Sequence, residues 1–144
     1  MMERAIFVNL PVTDLPRSVK FYEALGFTND PRFTNDQAAA MEWSGTIKVM
    51  LLTHDFWRTF TSKAIVDAHA AAQVALCVSR ASRDEVDAMV STAAQAGGKA
   101  DPSPAQDMEL MYCRSLEDPD GHVWEPMWMD PAFADAAPAD HQPA

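Results

Sequence analysis

The stretch AIFVNLPVTDLPRSVKFYEALGF, residues 5–27, reads as a strand, a turn, a helix and a stop. Apolar side chains alternate at period two through its first half. That rhythm predicts a strand with Val8, Leu10 and Val12 on a buried face and Phe7, Asn9 and Pro11 on the opposite one. Asp14 then stands where a helix needs an N-cap, Pro16 fits its first turn, and Gly26 ends it. Val19, Tyr22 and Leu25 fall on one helical stripe, the side such a helix would bury.

The chain runs through this order of elements twice. After the first helix, three strands are expected at about 26–31, 37–43 and 46–53, and 54–66 reads as a loop with a helical turn or two. The quartet HDFW at 54–57 suits a lid, a dimer contact or aromatic packing on a sheet edge. A second cycle opens with QVALCVS, continues through a helix with the capping box Ser82 to Glu85, and closes at Gly97-Gly98. Its buried face is Val86, Met89, Val90 and Ala93. KADPS, MELMYCRSL and HVWEPMWM are then expected as three more strands. Val8, Leu10 and Val12 match Val74, Leu76 and Val78 at an offset of 66. Two units of strand, helix and three strands predict an α+β domain whose helices cover one face of a mixed sheet. The other face is left concave and open to a ligand.

The chain has 144 residues, enough for one domain with its own core, assigned here to residues 1–130 with modules at about 3–66 and 67–130. The end, 131–144, is rich in Ala, Pro and Asp and is expected to be a flexible tail. A net charge of −10 argues against nucleic acid and anionic membrane surfaces as partners. No run approaches a membrane span, and no amino-terminal signal is visible, so the cytoplasm is the default expectation. Cys77 and Cys113 form no CxxC pair and read as small strand residues. No glycine-rich phosphate loop, GxSxG or HExxH occurs.

The order of elements, with LPVTDLPRSVKFYEALGF early and DPDGHVWE late, resembles the vicinal oxygen chelate superfamily of glyoxalase I, extradiol dioxygenases and bleomycin- and fosfomycin-resistance proteins. The resemblance covers roughly residues 3–130. It implies paired βαβββ modules that build a cup, commonly in homodimers. It also implies four inward positions, one on the first and one on the last strand of each module, where metal-using members carry ligands. Carried onto this chain, those positions are Phe7, Leu51, Gln73 and Glu125. Glu125 alone is a good ligand and Gln73 could offer an amide oxygen, whereas a catalytic metal usually takes three protein ligands and an open site. No cofactor is therefore expected; a divalent metal held by Glu125 with Gln73 is the alternative.

Strand alternation sides the rest of the cup. Gln73, Ala75 and Cys77 are expected to face it, as are Val49, Leu51 and Thr53, and Val123, Glu125 and Met127. Trp124 and Trp128 fall on the opposite face as core. Tyr112 and Arg114 share a face that periodicity does not side; if inward, they offer a phenol and a guanidinium to an anionic substrate. His54 and His122 fit turn or edge hydrogen bonding, and His69 and His141 receive no role. Three roles stay open for Glu125: a lone metal ligand, a ligand-binding carboxylate or general base, and a structural group satisfied by Gln73, Asn9 or a partner subunit.

Two functions remain. One is a metal-independent small-molecule binder, its apolar cup floored by Glu125 and suited to an amphipathic, cationic ligand. The other is a glyoxalase- or dioxygenase-related enzyme of lyase or oxygenase type, with Glu125 as base or metal ligand. A homodimer is expected in either case.

Overall fold

The computed structural model describes residues 3–136. The first module runs β1 (Ile6–Val12), α1 (Leu15–Ala24), β2 (Thr28–Asp30), β3 (Ala38–Glu42) and β4 (Ile47–Thr53). A short α2 (His54–Trp57) and a long connection lead to the second. That module comprises β5 (Ala75–Ser79), α3 (Arg83–Gln95), β6 (Lys99–Ala100), β7 (Gln106–Met108), β8 (Met111–Cys113), β9 (Leu116–Glu117) and β10 (Val123–Met129). The fold is α+β, as the repeated strand–helix–strand order requires. Its strands form two sheets instead of the single sheet expected: four strands in the order β1-β4-β3-β2, and six in which β10 lies beside β5, β8 and β9. In each module the first strand runs parallel to the last.

Both helices start as the sequence dictates. The Asp14 carboxylate accepts from the Arg17 amide at 3.1 Å, and the Ser82 hydroxyl from the Glu85 amide at 3.1 Å. The box at α3 is only half closed, because Glu85 turns away to take an Arg80 N–H at 2.9 Å. Gly26 and Gly97 end the two helices at φ of +106° and +105°, where a side chain would be strained.

Two expectations need correction. MELMYCRSL is not one strand: Met108 and Met111 close a tight hairpin, and the pairing with β10 lapses after Cys113. Pro126 explains the lapse. Its carbonyl accepts from Arg114 N at 3.2 Å, but it has no N–H to return the bond, so the ladder resumes only as β9. The chain end is not wholly irregular either. Asp130 caps Ala132 N at 2.8 Å with Pro131 in the first turn, and α4 spans Pro131–Ala136; residues 137–144 of the expected tail lie outside the described residues.

The modules share one core. Tyr22 of α1 and Trp124 of β10, both fully buried, meet edge to face with ring centroids 5.9 Å apart. Each such side chain contributes roughly 2–3 kcal/mol by leaving water. The Trp124 indole donates to the Tyr22 hydroxyl at 3.0 Å, and that hydroxyl donates to Asp118 Oδ2 at 2.6 Å. Asp118 Oδ1 accepts in turn from the amides of Asp120 and His122, which winds the 118–122 turn around it. Burial leads in raising the Asp118 carboxyl above its usual range, and burial with the adjacent Asp118 pushes the Tyr22 phenol up as well. Among the described residues no helix is long and apolar enough to cross a membrane.

Candidate functional site

Strand pairing decides which side chains share the open face. Across the parallel pairs, Phe7 stands beside Lys48, Asn9 beside Met50, Pro11 beside Leu52, Ala75 beside Val123, and Cys77 beside Glu125. Met127 stands between Ser79 and Cys113. Phe7, Asn9, Cys77, Glu125 and Met127 therefore lie on the face away from the helices. The Lys48 ammonium sits 5.6 Å from the Phe7 ring centroid.

Leu51 is the first correction. It pairs with Leu10, is fully buried in the common core, and its neighbour Leu52 takes the open side. Val49, Met50, Leu51 and Leu52 are all apolar, so alternation carries no side there and only the pairing fixes it. Tyr112 and Arg114 are the second. Tyr112 pairs with Trp128 under α3 and donates to Asp87 Oδ1 at 2.6 Å. Arg114 reaches Asp87 at 2.9 Å and Asp101 at 2.6 and 3.0 Å. The Arg83 guanidinium lies 5.1 Å from the Tyr112 and Trp128 ring centroids. This polar cluster fastens the second sheet to α3 and faces away from the cup. Hydrogen bonds from Arg114 hold Asp101 below the usual carboxylate range, and the Tyr112 hydroxyl and Arg114 do the same for Asp87.

The four positions carried over as metal ligands do not converge. Gln73 precedes Ala75, the partner of Val123, so it is four residues out of step with Glu125, about 13 Å along the strands. Phe7 and Leu51 supply hydrocarbon only. No three His, Cys, Asp or Glu side chains group to hold an ion among the described residues. One carboxylate and one distant amide do not make the donor set the family's metal requires. The thiols flanking β10 do not help. Burial and then the Glu125 charge raise Cys77; burial, then Cys77 and Glu125, raise Cys113 to about 11. Cys113 therefore stays a thiol at neutral pH and Cys77 is pushed the same way, away from the thiolate that ligates or attacks.

A half-open cavity adjoins the open face. Its volume is about 790 Å³, and it opens between the free edges of β1 and β5, roofed by the chain that links the modules. Leu52 and Val123 come from the sheets, and Trp57, Phe60, Ile65 and Val66 from the roof. Asn9 and Gln73 add amides that make no side-chain hydrogen bond to protein among the described residues. This mixture of apolar wall and few polar groups is typical of a small-molecule site. Glu125 does not line it. A second, polar cleft of about 560 Å³ shares Ile65, Val66 and Ala68 with it and carries Arg17, Arg58, His54 and Asp120.

The roof is pinned to the 118–122 turn. Gly121 has φ of +94°, and a Cβ there would lie 2.6 Å from His69 N, so backbone packs on backbone. The His69 ring donates through Nε2 to Pro119 O at 3.1 Å, and His122 Nε2 donates to Pro11 O at 2.8 Å, tying β1 to β10. Thr13 N and Oγ1 both donate to Asp120 Oδ1, at 3.0 and 2.8 Å. Periodicity assigned no role to the linking segment, because it forms almost no regular structure. Its composition did carry a signal: SKAIVDAHAAAQV, 62–74, is too apolar for a solvated loop.

Paired strand–helix–strand modules with an open face and a roofed apolar cavity define a class, and sequence comparison agrees. The chain belongs to the Glyoxalase/Bleomycin resistance protein/Dioxygenase superfamily, which it matches over residues 4–125. Among solved structures it is similar to a hypothetical protein from S. aureus, at 23% identity, covering 89% of this chain and 95% of that one, with a TM-score of 0.74. A glyoxalase-related enzyme from Fulvimarina pelagi matches at 21% identity, 88% of each chain and 0.72. A fosfomycin resistance protein from Mesorhizobium loti matches at 15%, 94% of this chain and 100% of that one, and 0.64. Identities this low establish the fold and nothing finer. No curated protein matches the sequence.

Proposed function

We propose that the protein binds an apolar small molecule in the roofed cavity, without the metal used elsewhere in its superfamily. The observation that carries this reading is the cavity itself: about 790 Å³, walled by Leu52, Trp57, Phe60 and Val123, with Asn9 and Gln73 as free amides. The scattered donor positions support the metal-independent part. Glu125, on the open face beside Cys77, takes no part in holding the ligand on this reading.

A neutral fluorescent naphthylamine is the probe. It should bind with a raised thermal midpoint, because a ligand held only by the folded state stabilises it. Ala72→Trp adds an indole at an exposed lining position and should weaken the probe roughly tenfold, about 1.4 kcal/mol. Glu125→Gln should leave it unchanged. Loss of binding in Glu125→Gln, with Ala72→Trp unaffected, would move the site to the open face and favour the enzyme alternative. The reading includes a homodimer, supported by Ile6 and Phe7, each 56% exposed on β1. Light scattering after gel filtration checks it, and a monomer at micromolar concentration counts against it.

A further inference from the structure

Charge around the cavity is distributed unlike charge on the chain as a whole. The chain carries 21 acidic residues in 144, so twenty residues taken at random would include about three; the twenty that line the cavity include none. They do include a lysine, Lys63, in the roof. Its ammonium forms no ion pair among the described residues, whereas nearby acids are engaged elsewhere. Asp55 pairs with Arg58 at 3.3 Å, and Asp67 accepts from His69 N at 3.0 Å and faces the second cleft. Glu125 stands on the open face outside the cavity.

The sign of the ligand follows from the local charge. An ammonium in this cavity would meet no counter-charge among its lining residues and a like charge at Lys63. A carboxylate would meet Lys63 as its opposite charge, with the amides of Asn9 and Gln73 on the same lining as further donors. The net charge of −10 does not reverse this, since at physiological salt a charge beyond about 8 Å is largely screened and only the local groups choose the head group.

Resting on the cavity reading above, we propose that the ligand is an amphipathic carboxylate, its apolar body under the roof and its anionic end at Lys63. This reverses the cationic preference that Glu125 suggested from sequence.

Calorimetry of the full chain with naphthylacetic acid, naphthylacetamide and naphthylethylamine tests it, since the three share one apolar body. The acid should bind about three- to fivefold more tightly than the amide, the size of a partly exposed ion pair, and the amine most weakly. Lys63 is exposed, so its substitution spares the core. Lys63→Gln should erase the acid's advantage while leaving the amide's affinity in place, and Lys63→Glu should place the amine above the acid. The proposal is overturned if the amide or amine matches the acid, or if the acid's advantage survives Lys63→Gln. Should all three compounds and the neutral naphthylamine fail to bind, the cavity reading falls with it. Amide binding without an acid preference would sink this inference alone.

Discussion

At matching rungs of the two modules the chain places opposite chemistries. Leu52 stands beside Pro11 in the first module, and Glu125 stands beside Cys77, 66 residues on from Pro11, in the second. Leu52 is 2% exposed and closes the cavity, with α2 packed over the ends of β1 and β4. Glu125 is half-buried on a face that nothing among the described residues covers. The internal repeat thus yields one walled pocket and one open carboxylate-bearing surface. A duplicated fold does not duplicate its site, because the covering chain crosses the β1 and β5 edges and leaves the Glu125 face open.

Swapping the two rungs is the severest test of that contrast. Leu52→Glu should cost about 4 kcal/mol in urea unfolding, since it puts a carboxylate where a 2% exposed hydrocarbon side chain now sits. Tolerance of that substitution would mean that the first module is as open as the second. Gly121→Ala attacks the seam between roof and turn. With φ of +94° and a new Cβ against the His69 backbone, it should cost about 2 kcal/mol and loosen probe binding in the cavity. An unchanged probe affinity would separate the roof from the turn.

A smaller effect sharpens the comparison between the buried seam and the exposed clamp on α3. Arg114→Gln should cost about 1 kcal/mol at neutral pH, a figure kept low because Asp87 and Asp101 are 50% and 39% exposed. Both acids are held low in the folded protein, so their contribution is present above the unfolded carboxylate value of 3.8 and is lost as pH falls through the folded values. The cost of Arg114→Gln should accordingly shrink in acid. Asp118 runs the other way. Its folded value is raised, so its contribution is full below 3.8 and is lost as pH rises through the folded value. The stability gap between wild type and Asp118→Asn should therefore narrow as pH climbs above 3.8. Thermal midpoints across that range check both slopes, and parallel curves would refute the assignment of Asp118. Smallest of all, Glu125→Leu should alter stability by no more than about 0.5 kcal/mol, as for an ordinary surface position.

Local chemistry was enough to place most elements. Asp14, Ser82, Gly26 and Gly97 marked the helix ends, since caps and left-handed stops act within a few residues and need no distant partner. The 66-residue repeat predicted two modules of like order, and the structure shows the first strand of each paired with its last. It could not side β4, where four apolar residues in a row erase the alternation, nor foresee that Pro126 would interrupt a neighbouring strand.

The sequence by itself determined the α+β class, the two modules, the cup-facing side of β1 and the placing of Glu125 on that same face of β10. Only the tertiary structure decided where the cavity lies. Cavity walls come from the β1 and β5 edges, two sheets and an irregular connection, held by contacts such as His122 to Pro11 and Gly121 against His69. Those groups are far apart along the chain, and periodicity reports only which face a residue takes on its own strand. It says nothing of what another segment lays over that face.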